Sequence, residues 1–239
     1  MQPFPKKLIE TAGIEIPPIG FYYAPDPAPF APVVEPKAGT RGCVFAFYKS
    51  WLEGQTLRVT KDNFGCGGAG RSWCGVEARS REEFIRFLVD DEGLKASHDL
   101  MNRWIDSSPP YRQKHENILV GPLRESQYEY LRTVTFFVNP DQLGLMTLGA
   151  QYESAPEDPP PVISPFGSGC GQLIGVFKDL GVSQAAIGAT DIAMRRYLPP
   201  DALAFTVTKP MFERLASLDE RSFLTKPFWK GLMKARGRE

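Results

Sequence analysis

The stretch Tyr130-Leu131-Arg132-Thr133-Val134-Thr135-Phe136-Phe137-Val138, which runs directly into Asn139-Pro140-Asp141, decides the fold class of this sequence. Threonine, valine and aromatic residues are enriched in β-strands. Proline is well suited to the first position of a helix, where its missing N–H costs nothing. The stretch therefore predicts a strand that turns at Asn139 and continues as a helix through Leu148.

The first half of the chain carries a fainter copy of this pattern. An aromatic strand over Ile19–Tyr23 precedes Pro25-Asp26. In both halves a proline-rich loop, a Gly-Cys pair, a helix, a short strand and a small-residue turn follow. We therefore predict an α+β fold of mixed sheet and helices, with two weakly related halves, residues 14–125 and 126–220, that arose by internal duplication. The halves are expected to pack around a central cleft within one compact domain spanning residues 1–239.

Other local patterns predict the elements that flank the two Gly-Cys pairs. Apolar residues at steps of three and four over residues 42–52 indicate a buried helix, and alternation over residues 56–60 indicates a strand. Ser80, followed by acidic residues, is typical of a helix N-terminus near Arg81. In the second half, Gly169-Cys170-Gly171 is expected to open an apolar helix over residues 173–180.

Composition and charge exclude some classes of protein. Hydrophobic residues make up 42% of the 239 residues and charged residues 23%, which is typical of a globular protein with a sizeable core. The 28 basic and 28 acidic residues cancel, which argues against a protein that coats nucleic acid. No segment has the length of a membrane span or the apolar core of a signal peptide. We expect a cytoplasmic protein with reduced cysteines, and the sequence leaves a homo-oligomer open.

The sharpest functional signal is the turn Asn63-Phe64-Gly65-Cys66-Gly67-Gly68-Ala69-Gly70. Glycines permit unusual backbone angles and leave N–H groups unobstructed, so such a loop can hold an anion or a cofactor. The turn lacks the Lys-Ser or Lys-Thr of a nucleotide-binding P-loop and the strand–helix context of a dinucleotide fingerprint. A tight turn beside a buried thiol is the alternative interpretation.

The cysteines allow three interpretations. Cys43 and Cys170 are predicted at helix N-termini, where the helix dipole lowers a thiol pKa. Together with Cys66 they suggest ligands for an iron–sulfur cluster or another soft metal, with Cys74 as a fourth ligand. Cys66 alone is a candidate nucleophile of a thiol-dependent enzyme. All four are also compatible with small buried hydrophobic residues.

Arg195 completes the set of candidate site residues. It follows the small-residue turn of the second half, where it is expected to line the cleft and pair with a carboxylate or phosphate of a ligand; a surface ion pair is the alternative. We therefore predict a small-molecule binding module for an anionic or aromatic ligand and leave open whether it is an enzyme. Its proposed ligand-binding residues are Gly65, Cys66, Gly67, Gly68, Cys43, Cys170 and Arg195.

Several of these motifs together resemble domain-of-unknown-function family 169. They are Gly42-Cys43, residues 63–69, Thr133–Val138 with the Asn139-Pro140-Asp141-Gln142-Leu143 string, and Ser168-Gly169-Cys170. The similarity covers roughly residues 17–207 and implies a prokaryotic cytoplasmic protein with no established activity. Gly188-Ala189-Thr190-Asp191 stands where the family tends to carry a second Gly-Cys turn. A four-cysteine cluster would therefore need Cys74.

Overall fold

The protein is built on one mixed sheet of eight strands. The computed structural model describes residues 4–37, 42–64, 73–75, 79–108, 115–167, 169–174 and 177–237. The strands are β1 (Ile19–Ala24), β2 (Val33–Val34), β3 (Thr56–Val59), β4 (Asn117–Pro122), β5 (Leu131–Val138), β6 (Val162–Ile163), β7 (Ala185–Gly188) and β8 (Leu203–Thr208). Their order across the sheet is β2-β3-β4-β1-β5-β8-β7-β6. The predicted α+β class is confirmed.

The strand order is symmetric about the centre of the sheet. From one edge inwards it is β2, β3, β4, β1, and from the other edge it is β6, β7, β8, β5, which are the corresponding strands of the second half. The outermost pairs, β2 with β3 and β6 with β7, are parallel, and every other pairing is antiparallel. β1 and β5 pair at the middle of the sheet. A twofold axis perpendicular to the sheet, between β1 and β5, would relate the first four strands to the last four. This order is the one that two duplicated halves would produce, although the duplication itself stays a prediction.

Helices cover both faces of the sheet. The longer ones include α1 (Lys6–Ala12), α3 (Arg81–Arg86, continuing as a π-helical turn Phe87–Asp91), α4 (His98–Ser107), α5 (Pro140–Gln151), α7 (Lys209–Ala216) and α8 (Pro227–Ala235), and the shorter ones include α2 (Tyr48–Leu52) and α6 (Ile192–Arg195). Within the described ranges, no helix has both the length and the apolarity that a bilayer crossing demands.

Alternation along the central strands divides the core into two layers. Ile19, Phe21 and Tyr23 of β1 face the layer that contains the two cysteine turns, those at Cys43 and Cys170. Tyr22 and Ala24 face the opposite layer, which is built from α1, α5 and α7. Every residue of β1 is buried, because helices or turns pack on both sides of the sheet.

The helix starts that the sequence indicates are observed. Ser80 and Glu83 form a reciprocal capping box at the start of α3, and Asn139 and Gln142 form one at the start of α5. Pro140 occupies the first position of α5, as predicted.

The two helices expected after the Gly-Cys pairs are shorter than predicted. Residues 42–52 form a 3-10 turn over Val44–Phe47 that runs into the five-residue α2. Gly171–Leu173 is also only a 3-10 turn, and the described residues beyond it, up to Leu180, are not α-helical. Glycines at both N-termini and aromatic crowding against the sheet favour a tight turn over a regular helix. The β1–β5 pairing joins the halves directly, and a cleft between them remains a prediction.

Tyr22 explains why β1 contains Gly20. A Cβ atom at Gly20 would lie 2.3 Å from Cζ of Tyr22, whose ring covers the glycine. The Tyr22 ring is fully buried and packs edge-on against Phe30, with 4.9 Å between the ring centroids. Its hydroxyl accepts a hydrogen bond from the backbone N–H of Arg124 at 2.8 Å. The ring is therefore held at both ends and cannot move aside.

We predict that Gly20→Ala lowers the free energy of unfolding by about 1–3 kcal/mol, because the added methyl group overpacks the core against Tyr22. Gly144→Ala is the matched control, since Gly144 lies in α5 with no atom within 4 Å of the new methyl group. That control should raise the free energy of unfolding by about 0.5–1 kcal/mol through helix propensity. Urea denaturation followed by tryptophan fluorescence measures both, and equal effects of the two substitutions would contradict this account of Gly20.

Candidate functional site

The glycine turn on which the sequence centres the site lies outside the described residues. This applies to Gly65, Cys66, Gly67 and Gly68 alike, since the chain is described up to Phe64 and again from Trp73. The described part of the candidate site consists of the residues that flank the turn and of those that contact them.

Trp73 anchors the chain directly after the glycine turn. Its side chain is fully buried, and its Nε1–H donates a hydrogen bond to the carbonyl oxygen of Cys170 at 2.7 Å. The hydroxyl of Tyr23 donates to the carbonyl oxygen of Trp73 at 2.5 Å. The Trp73 ring also packs edge-on against Phe21, with 5.0 Å between the centroids. The segment after the turn is thus fastened both to β1 and to the cysteine turn of the second half.

Cys43 and Cys170 occupy corresponding places and belong to one core layer. Each is the residue before a 3-10 turn, and both pack into the same hydrophobic cluster, with Cys170 buried and Cys43 half-buried. A methyl group on Gly169 would lie 3.2 Å from Cε2 of Phe45 and 2.7 Å from Cγ of Met194. The two turns are therefore in contact beside their cysteines, and only glycine fits at position 169.

Cys74 behaves as a buried thiol. Burial, with a smaller contribution from the charge of Asp62, raises its pKa to about 12, so the thiol is protonated at neutral pH. Among the residues that the structure describes, no three His, Cys, Asp or Glu side chains converge as metal ligands. A cluster formed by Cys43, Cys66 and Cys170 includes a residue outside that part of the chain and stays a prediction.

Gln172 organises the small-residue turn of the second half. Its side chain is buried, and its Oε1 accepts from the backbone N–H of Ala189 at 2.9 Å. Its Nε2 donates to Oγ1 of Thr190 at 2.9 Å. Ala189 has a φ of +62°, a conformation that ordinarily requires glycine. The bond from Gln172 holds this strained backbone in place. The sequence indicated the small-residue turn at Ala189, but it gave no signal for Gln172, which belongs to no motif.

Arg195 performs a structural task. Its guanidinium donates to four backbone carbonyl oxygens, those of Ala189 at 3.5 Å, Pro199 at 3.3 Å, Pro200 at 2.5 Å and Ala202. These bonds use most of its five N–H donors. Arg195 therefore fixes the loop after α6, and its predicted contact with a ligand carboxylate or phosphate stays untested.

Arg132 is a better candidate than Arg195 for pairing with a ligand carboxylate or phosphate. It is the extra residue of a β-bulge, because Tyr22 pairs with Leu131 while Phe21 pairs with Thr133. Its Nε is buried without a hydrogen bond, and the structure shows no hydrogen bond or ion pair from Arg132 to any residue that it describes. Its guanidinium carbon lies 5.9 Å from the centroid of the Tyr23 ring. A charged residue inside an otherwise apolar and threonine-rich strand was the sequence signal for it.

Two other arginines show why Arg132 differs. Arg124 and Arg214 also have a buried Nε without a hydrogen bond. Arg124, however, donates through Nη2 to the carbonyl oxygens of Phe30 and Ala31. Arg214 lies 3.2 Å from a carboxylate oxygen of Glu153 and donates to Ser154. Within the part of the chain that the structure describes, Arg132 has no such anchor.

Lys209, the first residue of α7, adds a second positive charge near Arg132. Burial, followed by the charge of Arg132, lowers the pKa of Lys209. The nearby carboxylate of Glu213 accepts a hydrogen bond from the Tyr128 hydroxyl at 2.8 Å. Arg132 and Lys209 thus repel each other, while the carboxylates of Glu213 and Glu129 act on Lys209 in the opposite direction.

We predict that Trp73→Phe lowers the free energy of unfolding by about 0.5–1.5 kcal/mol more than Trp51→Phe does, because the first change removes the hydrogen bond from Nε1 to the Cys170 carbonyl and leaves that carbonyl only the longer bond from the N–H of Leu173 at 3.3 Å. Trp51 is an apt control, since it is buried in the same core layer and its Nε1 has no hydrogen-bond partner. Urea denaturation of both variants measures the difference. If the two substitutions cost the same, Trp73 is only a packing residue.

Comparisons with known proteins place these features in a family. A family model described as DUF169, uncharacterised ArCR, matches residues 7–217. No curated protein and no solved structure matches the sequence significantly. The match spans both cysteine turns, the whole sheet and the Arg132 bulge. The chain therefore belongs to the DUF169 family.

Proposed function

We propose that this protein binds a small anionic ligand, and that Arg132 supplies the positive charge that recognises it. The ligand would lie at the end of the sheet where β1 ends and β5 begins, with the Gly65–Gly68 turn offering backbone N–H groups and Cys43 and Cys170 lining the same layer. The proposed setting is the cytoplasm.

The observation that carries the proposal is the unpartnered guanidinium of Arg132. A buried charged donor without a partner costs more than an ordinary hydrogen bond contributes. Each such group in a native protein calls for an explanation, and a bound ion or ligand that supplies the missing acceptor is one. Because the buried Nε of Arg132 lacks a hydrogen bond and no described residue bonds to its other nitrogens, an anion with two oxygens fits its planar donors well.

The surroundings of Arg132 favour an anion that carries an aromatic group. The Tyr23 ring faces the guanidinium, and Trp73 and Phe21 lie directly beyond it. β-Bulges are common next to binding sites, where they aim a side chain out of the strand pairing. Phenyl phosphate and benzoate are therefore suitable first probes.

The role of the cysteines separates this proposal from its alternatives. If the thiols are structural, Cys66→Ala leaves anion binding within about twofold of the wild type. Loss of binding in that variant, together with metal or iron–sulfur absorbance in the anaerobically purified wild type, would favour a cysteine-ligated cofactor. Loss of binding without such absorbance would favour a thiol-dependent enzyme.

We predict that Arg132→Gln weakens binding of the best anion from a panel of phenyl phosphate, benzoate, dicarboxylates and nucleoside monophosphates by about ten- to a hundredfold, because a charge-assisted pair is lost. Thermal shift selects the anion and calorimetry measures its affinity. Arg103→Gln is the control, since Arg103 is exposed on α4. Unchanged affinity in Arg132→Gln, or a panel without any stabilising anion, would count against the proposal.

We also predict that Arg132→Gln leaves the free energy of unfolding of the ligand-free protein within about 0.5 kcal/mol of the wild type, or raises it, because repulsion from Lys209 is relieved. Urea denaturation tests this without knowledge of the ligand. A loss of 2 kcal/mol or more, roughly what a buried structural charge contributes, would mean that Arg132 serves the fold.

A further inference from the structure

A cavity lies at the opposite end of β5 from Arg132. Its volume is about 660 Å³, within the range of small-molecule sites. Phe137 and Val138, the last residues of β5, form part of its floor. Arg132 and Val138 are six positions apart on the strand, which corresponds to roughly 20 Å. The two sites are therefore distinct.

The walls of this cavity are negatively charged. Three carboxylates, those of Glu10, Glu15 and Asp201, line it, and no lysine, arginine or histidine does. All three residues are exposed, and within the described ranges none of their carboxylates makes a hydrogen bond or ion pair. Asp201 also faces Tyr48, whose pKa is raised first by burial and then by the charge of that carboxylate.

Both walls are held in position by buried hydrogen bonds. On one side, Nε2 of Gln142 donates to the carbonyl oxygens of Ala12 at 3.3 Å and Gly13 at 2.7 Å, which fixes the end of α1. On the other side, Arg195 donates to the carbonyl oxygens of Pro199 and Ala202. The cavity is thus preformed, and the hydrogen bonds of Arg195 serve to hold one of its walls.

Part of the cavity lining is apolar. The half-buried side chains of Ile16 and Met233 offer this apolar surface. Phe137, which is only 2% exposed, supports the cavity from below and is locked between Tyr48, edge-on at 5.0 Å, and Trp51, stacked at 6.3 Å between the centroids. Apolar surface beside carboxylates suits a ligand with a hydrocarbon body and a positive end.

The adjoining helix ends do not favour an anion here. α5 begins at the cavity, but Pro140 has no N–H and Asn139 already accepts the N–H of Gln142. Asp141 in the same turn carries a negative charge and pairs with Arg236. α1 ends at the cavity with Glu10 in its last turn and no basic residue there, so the negative end of its dipole is uncompensated.

The spacing of the carboxylates distinguishes an organic cation from a metal ion. Among the described residues no three acidic, histidine or cysteine side chains converge on one point. The three carboxylates therefore surround the cavity instead of meeting inside it. An extended molecule with charges separated by methylene groups matches this arrangement better than a compact divalent ion.

We propose that this cavity binds an aliphatic amine, with its methylene chain on Ile16 and Met233 and its ammonium groups at Glu10, Glu15 and Asp201. The site is independent of the anion site, so the Arg132→Gln variant should bind amines as the wild type does. Failure of one proposal therefore leaves the other unaffected.

Spermidine is the probe, measured by calorimetry at low ionic strength, with 1,8-octanediol as an uncharged compound of similar length. We expect saturable 1:1 binding of spermidine that is about tenfold weaker in the Glu15→Gln/Asp201→Asn double variant and weaker at high salt. Glu157→Gln, which removes an exposed acid outside the cavity, should bind like the wild type.

Three results would overturn the proposal. They are no binding of spermidine, equal binding by the double variant, and equally tight binding of octanediol. Thermal melting of the double variant establishes that it is folded, and Asp201→Asn alone, expected to bind about threefold more weakly, serves if the double variant does not fold.

Discussion

The antiparallel pairing of β1 with β5 is the constraint on which the rest of the structure depends. It joins the first four strands to the last four and places the centre of the sheet under helices or turns on both faces. The pairing is tight at Gly20, whose missing side chain is replaced by the Tyr22 ring. At the other end it slips by one residue, and this slip produces the bulge at Arg132. The regular part of the pairing stabilises the fold, and the irregular part carries the unpartnered charge.

The charges of the protein sum to zero but are distributed unevenly along β5. Arg132 and Lys209 lie at its start, near Glu129 and Glu213, and three exposed carboxylates line the cavity at its end. Hydrogen bonds hold both regions rigid, through Trp73 on Cys170 at one end and through Gln142 and Arg195 at the other. The exposed carboxylates are solvated at little cost to folding, whereas the buried Nε of Arg132 without a hydrogen bond does cost folding free energy. Net charge alone conceals such an arrangement.

Local patterns predicted the elements whose signals are local. The strand over Thr133–Val138, the capping boxes at Ser80 and Asn139, and the helix after Pro140 all followed from neighbouring residues. The two-residue edge strands β2 and β6 were not predictable, because they form in proline-rich loops only by pairing with β3 and β7. Nor did residue type distinguish Arg132 from Arg195. Which arginine keeps free donors depends on the register of β1 against β5 and on carbonyls brought near by the fold.

The NMR signal of the Arg132 side-chain Nε–H, recorded while phenyl phosphate is titrated into the protein, tests the central claim most directly. Arg124 provides the internal reference, because its Nη2 is already bonded to backbone carbonyls. We predict a saturable shift of the Arg132 signal and a stationary Arg124 signal. A stationary Arg132 signal, or parallel drift of both arginines, would show that the free guanidinium of Arg132 is not an anion site.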